Sequence, residues 1–367
     1  MPEAFKNIYN SQFFDGFTLA LLHIIPDLDK KTFLKDIHDD EWENRELKQR
    51  MRHISSVLGE YLPDDYKSAV ALIIKFIEHL KESQCTLLLE YMFIPDYIEQ
   101  YGLDDYDTSV NALCEITKFT SCEFAVRPFI IKYPQQMMKQ MLAWSKHENH
   151  DVRRFSTEGC RPRLPWAMAL PLLKDNPAKI LPILENLKND ESEYVRKSVA
   201  NNLNDITKDN PDVVINLIKK WKGNTKNTDW VIKHGSRTLL KQGNSDVMAL
   251  FGFGSIKGIE IKNINIRTAQ VRIGEALEFD FELHNKTKTK SKLRLEYAIY
   301  YQKANASLSK KVYKISEKEY AEKSVSVINR KQSFKLITTR KFHTGLHQLS
   351  IIINGNEFDK FDFDLIE

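Results

Sequence analysis

The chain has 367 residues, of which 42% are apolar, enough for two or three ordinary cores. It contains no apolar run of the roughly 18 residues a membrane helix needs, and its opening Met-Pro-Glu-Ala-Phe-Lys lacks the basic and apolar regions of a secretory signal, so a cytoplasmic protein with no membrane partner is expected. The net charge of +4 is uneven: residues 256–367 carry 21 Lys and Arg against 14 Asp and Glu, net +7, leaving −3 for the rest. A basic C-terminal domain fits contact with a polyanion, and solubility alone would also account for it.

The first 250 or so residues read as helices. Apolar residues recur at spacings of three and four, as in Leu47, Met51, Ile54, Leu58 and in Val70, Ile73, Ile77, Leu80. Turn signals punctuate them at Pro63-Asp64-Asp65, Pro95-Asp96, Tyr133-Pro134, Asn176-Pro177 and Asn210-Pro211. Cys85, Cys114, Cys122 and Cys160 form no Cys-x-x-Cys pair and have no histidines at zinc spacing, so reduced thiols and no metal centre are expected.

An internal repeat begins near residue 148. His150-Asp151-Val152-Arg153-Arg154 matches Glu193-Tyr194-Val195-Arg196-Lys197 and Asp229-Trp230-Val231-Ile232-Lys233, with the valines 43 and 36 residues apart. A period near 40 with a valine and a basic residue early in each helix is the pattern of HEAT-type helix pairs, which bury their apolar faces only by stacking on neighbours.

Composition changes after Phe251-Gly252-Phe253-Gly254. Alternation then takes over: Ile259, Ile261, Ile264, Ile266; Leu277, Phe279, Phe281, Leu283; Leu293, Leu295, Tyr297; Leu349, Ile351, Ile353; Phe361, Phe363, Leu365. With turns at Asn285-Lys286-Thr287 and Asn354-Gly355-Asn356, this predicts about seven short strands in an immunoglobulin-like β-sandwich. The expected architecture is a HEAT-like helical repeat solenoid over residues 1–254 followed by that sandwich over 255–367.

The densest chemistry lies between Asp151 and Trp166. Arg153, Arg154, Arg161 and Arg163 cluster around a lone Glu158. Arg154 and Glu158 are four apart on a predicted helix that Gly159 ends, and Trp166 is expected to start the next helix. Guanidinium groups grip phosphates in pairs of hydrogen bonds. A carboxylate among them repels a phosphate backbone but suits a ligand that also carries positive charge. The same residues fit an ion pair internal to the repeat for Glu158 and a core position for Trp166.

The run Ser156-Thr157-Glu158-Gly159-Cys160-Arg161-Pro162-Arg163-Leu164-Pro165-Trp166 closely resembles the signature of the bacterial DNA alkylation repair glycosylases of the AlkC family, HEAT-like proteins related to the AlkD family. Residues 195–205, His234-Gly235-Ser236-Arg237-Thr238 and Glu46-Leu47-Lys48-Gln49-Arg50-Met51-Arg52 are similar to that family too, one branch of which carries a C-terminal Ig-like domain. The resemblance implies excision of cationic N-alkylated bases, 3-methyladenine and 3-methylcytosine, from duplex DNA without cofactor or metal, and without a deep pocket for the base; action as a monomer is the simplest expectation. It implies Glu158, Asp205 and Glu123 as active-site carboxylates and Trp166 as the active-site tryptophan. The matched basic residues Arg154, Arg161, Arg163, Lys233 and Arg237, with His234, become the phosphate candidates. The alternatives are a HEAT scaffold for a protein partner and a DNA-binding module without catalysis, and carboxylates among arginines favour the enzyme over both.

Overall fold

The computed structural model describes residues 4–86, 89–336 and 340–367. Among these residues sixteen α-helices precede eight strands, as the change of pattern predicts. The chain divides into two compact units, Met1–Val214 with Lys220–Gly235, and Ile215–Lys219 with Ser236–Glu367.

Side-chain caps set many of the helix starts. Asn10, Asp29 and Asp65 accept from first-turn amides of α1 (Ser11–Ile24), α2 (Lys30–Ile37) and α4 (Tyr66–Glu82), and Glu46 with Gln49 forms a reciprocal capping box on α3 (Leu47–Tyr61). Pro95-Asp96 proves not to be a turn: it lies inside α5 (Phe93–Tyr101), where the first turn tolerates a proline because its amide needs no intrahelical partner. Asp105 caps α6 (Tyr106–Ile116). Then follow α7 (Val126–Lys132), α8 (Pro134–Trp144, with proline at its first position) and α9 (His150–Glu158), which Asn149 caps. The remainder are α10 (Pro171–Asp175), α11 (Leu181–Leu187), α12 (Glu193–Ile206), α13 (Pro211–Trp221), α14 (Lys226–Gly235), α15 (Arg237–Lys241) and α16 (Ser245–Leu250).

Helices of the first unit stack on near neighbours in the sequence, α3 on α5, α4 on α6, α8 on α9, and α12 between α9 and α14. The repeat read from the sequence is a repeat of burial: Val152, Val195 and Val231 are all fully buried. Gly159 follows α9 with ordinary helical φ, so it is not a left-handed cap. Its smallness serves packing instead, since a Cβ there would come within 2.8 Å of Val126 and 3.1 Å of Met141. No described helix is long and apolar enough to cross a membrane.

In the second unit the strands are β1 (Ile259–Ile266), β2 (Gln270–Arg272), β3 (Ala276–Asn285), β4 (Ser291–Gln302), β5 (Leu308–Tyr320), β6 (Ser324–Ser333), β7 (Gly345–Ile353) and β8 (Asn356–Ile366). They form two sheets, ordered β1-β3-β6 and β2-β8-β7-β4-β5, with only the short β2–β8 pairing parallel. Leu277, Phe279, Phe281 and Leu283 of one sheet and Leu293, Leu295, Leu349, Ile351 and Ile353 of the other fill one core. In β1 the apolar parity switches from Ile259 and Ile261 to Ile264 and Ile266. The register shift between Lys262 and Asn265, with Asn263 at φ +51°, supplies the extra residue this requires. Asn354 and Gly355, at φ +46° and +81°, make the tight β7–β8 turn.

Candidate active site

The site is built where α9 and α12 face each other. Tyr194, Ser198, Asn202 and Asp205 recur on one stripe of α12 at helical spacing, and Arg154 and Glu158 lie one turn apart on α9. Asn202 donates through Nδ2 to the carbonyl of Thr157 at 2.8 Å, tying the end of α9 to that stripe.

These side chains form a continuous chain of alternating charge. Arg154 donates to both oxygens of Glu123, at 2.9 and 3.3 Å, and its Nη2 is 3.7 Å from Glu158. Arg161 donates through Nη1 to Glu158 Oε1 at 2.7 Å and through Nε to Asp205 Oδ2 at 2.9 Å. Lys208 donates to the other Asp205 oxygen at 3.3 Å, and Ser198 donates its hydroxyl to Glu158 Oε2 at 2.5 Å. Glu123 lies in the turn before α7 and brings a third helical segment into the group. Glu158 is 6% exposed and Asp205 2%. Burial works to lower the arginine pKa values, but Glu123 and Glu158 outweigh it at Arg154, and Glu158 and Asp205 at Arg161, so both guanidiniums titrate above their ordinary value.

The carboxylates anticipated from the sequence are therefore brought together, and so are Arg154 and Arg161. Both arginines are directed onto carboxylates, and Arg154 also lies 4.7 Å from the centre of the Tyr194 ring. Arg163 is more open and holds Asp209 through two hydrogen bonds of 2.7 and 2.6 Å. Lys233 and His234 occupy the last turn of α14, where His234 stacks in parallel on Trp230 with centroids 5.1 Å apart. Arg237 opens α15, in the second compact unit.

Trp166 does not start a helix and is not a core residue. The next helix begins only at Pro171, and Trp166 sits in a turn at φ +64° with 64% of its surface exposed. Two prolines within residues 159–168 and bonds from elsewhere in the fold hold this segment open: Lys48 donates to the Trp166 carbonyl at 2.9 Å. Such a left-handed backbone is costly for a bulky residue and persists where its surroundings impose it. A cleft of about 540 Å³ opens beside Glu123, Arg154 and Tyr194, and another of about 500 Å³ beside Lys48, Phe124 and Met168, with Met92 and Ser121 bordering both. In the second cleft burial raises Asp96 to about 6, against the opposing pull of Arg52.

Sequence reasoning missed Ser198, Tyr194, Lys48 and Arg127. Ser198 and Tyr194 were findable as the helical stripe leading to Asp205. Lys48 and Arg127 act through backbone carbonyls distant in sequence, which no pattern of side chains announces.

Residues 115–239 match the family model described as DNA alkylation repair enzyme, and residues 260–367 match the one described as the C-terminal Ig-like domain of the uncharacterised protein YhaZ. The uncharacterised protein YhaZ of Bacillus subtilis is 42% identical over 360 residues, covering 98% of this chain and 99% of that one. The solved structure of the Pseudomonas fluorescens alkylpurine DNA glycosylase AlkC, bound to DNA containing an abasic site analog, superposes with a TM-score of 0.93 at 34% identity over the whole of both chains. The chain belongs to the AlkC-type DNA alkylation repair enzymes, in the branch that carries a C-terminal Ig-like domain.

Proposed function

We propose that the protein is a monofunctional DNA glycosylase that hydrolyses the N-glycosidic bond of cationic N-alkylated bases, 3-methyladenine and 3-methylcytosine, in duplex DNA. The observation that carries this reading is the grouping of Glu123, Glu158 and Asp205 around Arg154 and Arg161. A base methylated at N3 is positively charged and leaves without prior protonation. The two arginines fit that requirement, because guanidiniums with raised pKa values do not give up protons near neutral pH.

As the bond breaks, positive charge develops on the deoxyribose. Carboxylates fixed in advance by arginine and serine donors stabilise that charge without reorganising, and one of them orients or deprotonates the attacking water. The exposed Trp166 ring is available to rest against a sugar or base. The open cleft beside Glu123 supports attack on a lesion that is not swallowed by a deep pocket. Arg163, Lys233, His234 and Arg237 are the proposed phosphate ligands, and a single chain acting on one duplex is sufficient.

The test is incubation with methylated duplex DNA in EDTA, followed by detection of free base and abasic sites. Wild type should release 3-methyladenine, whereas Glu158→Gln and Asp205→Asn should bind DNA but lose about two to four kcal/mol of transition-state stabilisation. Normal release by both variants would overturn the assignment.

A further inference from the structure

Arg127 is a fully buried guanidinium on α7, four residues beyond Glu123, and it takes no ion pair in the chain described above. It donates through Nε to the carbonyl of Met168 at 2.6 Å, and through Nη1 to the carbonyls of Gly159 at 3.0 Å and Arg161 at 2.9 Å. All three acceptors lie in the segment 159–168, which carries both Arg161 and Trp166. No carboxylate is within ion-pair distance of Arg127 among the described residues. A buried charge whose hydrogen bonds go only to neutral carbonyls is expensive, and burial depresses Arg127 to about 10 against the raising influence of Asp205 and Glu158, which leaves it protonated at neutral pH.

The segment it grips needs an external hold. Trp166 is at φ +64° and largely exposed, so neither its own backbone preference nor burial of its ring fixes it. Arg127 closes the two ends of the segment on one planar fork. Lys48, from α3, takes the carbonyl of Trp166 itself at 2.9 Å. The same closure presents Arg161 to Glu158 and Asp205.

We infer that Arg127 is a positioning residue for the glycosylase reaction, which with Lys48 locks the 159–168 segment so that Trp166 and Arg161 stand ready before DNA arrives. This rests on the function proposed above. It assigns Arg127 no contact with DNA. A lysine at this position keeps the charge but loses the planar array of donors, so it cannot serve both ends of the segment.

The full-length protein labelled with 5-fluorotryptophan gives a fluorine signal for Trp166 that is identified by its loss in Trp166→Phe. In Arg127→Lys that signal should move toward the position of the free amino acid, while those of Trp42, Trp144, Trp221 and Trp230 stay in place. Single-turnover release of the methylated base should fall about a hundredfold, the scale expected when reacting groups are misplaced by about an ångström, with affinity for intact duplex unchanged. An unmoved Trp166 signal would overturn the inference, and so would a general shift of all five, which marks a merely structural role. Should Arg127→Lys not fold, Lys48→Met at an exposed position must move the Trp166 signal in the same direction, and its failure to do so is equally decisive. If the wild type releases no base, the proposed function fails, whereas the fluorine signals still report whether Arg127 holds the segment.

Discussion

Ser198 donates its hydroxyl to Glu158 Oε2 at 2.5 Å across the α9–α12 interface, so the inner oxygen of this carboxylate is fixed by the neighbouring repeat. Arg161 takes the other oxygen, and the carboxylate is left little freedom to rotate. Ser198→Ala removes one donor from a nearly buried anion and keeps its charge. A hydrogen bond to a charged group contributes about 1.5–3 kcal/mol, so base release should slow by roughly ten- to a hundredfold. Single-turnover assays should show this with DNA affinity unaltered, and an unchanged rate would mean that Glu158 needs no orientation from α12.

Trp166 offers a separation of stability from activity. Its φ of +64° is unfavourable for every residue except glycine and, to a lesser degree, asparagine. Because the ring is mostly exposed, Trp166→Gly loses little packing and relieves the backbone, and the urea midpoint should hold or rise by the equivalent of about 1 kcal/mol. Base release should collapse in the same variant. Trp166→Ala, which keeps the strained backbone, should lose activity without the gain. Equal stability of the two variants would show that the turn is not under strain.

Much of this was legible in the sequence, and the unreadable parts have definite causes. The repeat was visible because Val152, Val195 and Val231 each fill a core position at the same place in successive helices, and burial leaves a periodic trace. The bulge in β1 was present as a switch of parity between Ile261 and Ile264. Glu158, Arg161 and Asp205 could be named, but the Arg161–Asp205 ion pair joins residues 44 apart, and only the stacking of α9 on α12 decides that Arg161 bridges the two carboxylates. Trp166 was misplaced because Pro165-Trp166 resembles a helix start. The hydrogen bonds that prevent one come from Lys48 and Arg127, far away in the chain.

The second unit contains a pH-sensitive group in its core. His347 on β7 is fully buried among Tyr301, Phe334 and Phe363. Its Nδ1 lies 2.9 Å from the carbonyl of Gly345, which can only accept, so Nδ1 carries the proton and Nε2 is left without a partner. Burial lowers its pKa, against the smaller opposing effects of the Gly345 hydrogen bond and the Asp364 charge. In the unfolded chain the imidazole takes a proton near pH 6.5, so the stability contributed by the neutral ring is present above that value and is lost as pH falls through the depressed folded pKa. Hydrogen exchange in β7 and β8 should therefore accelerate as pH falls below about 6.5, after correction for intrinsic rates. His347→Leu should flatten that dependence, and parallel profiles for the two proteins would rule His347 out as its source.

The net positive charge of the C-terminal region leaves specific lysines for a polyanion. In the β3–β4 connection Lys286 is engaged by Glu260 at 2.6 Å, and at the start of β4 Lys292 donates to the carbonyl of Phe251 at 2.8 Å. Lys288 and Lys290 lie between them and are exposed. If this connection meets the DNA backbone, these two supply its phosphate contacts. Each phosphate neutralised contributes about 0.9 to the slope of log affinity against log salt on duplex DNA, so Lys288→Gln with Lys290→Gln should reduce the slope by about 2. The change should be the same for damaged and intact duplexes, because phosphate contacts carry no information about the base. A slope that does not change would assign the positive charge of this unit to solubility, whereas a loss confined to the damaged duplex would place the lysines at the lesion instead of the backbone.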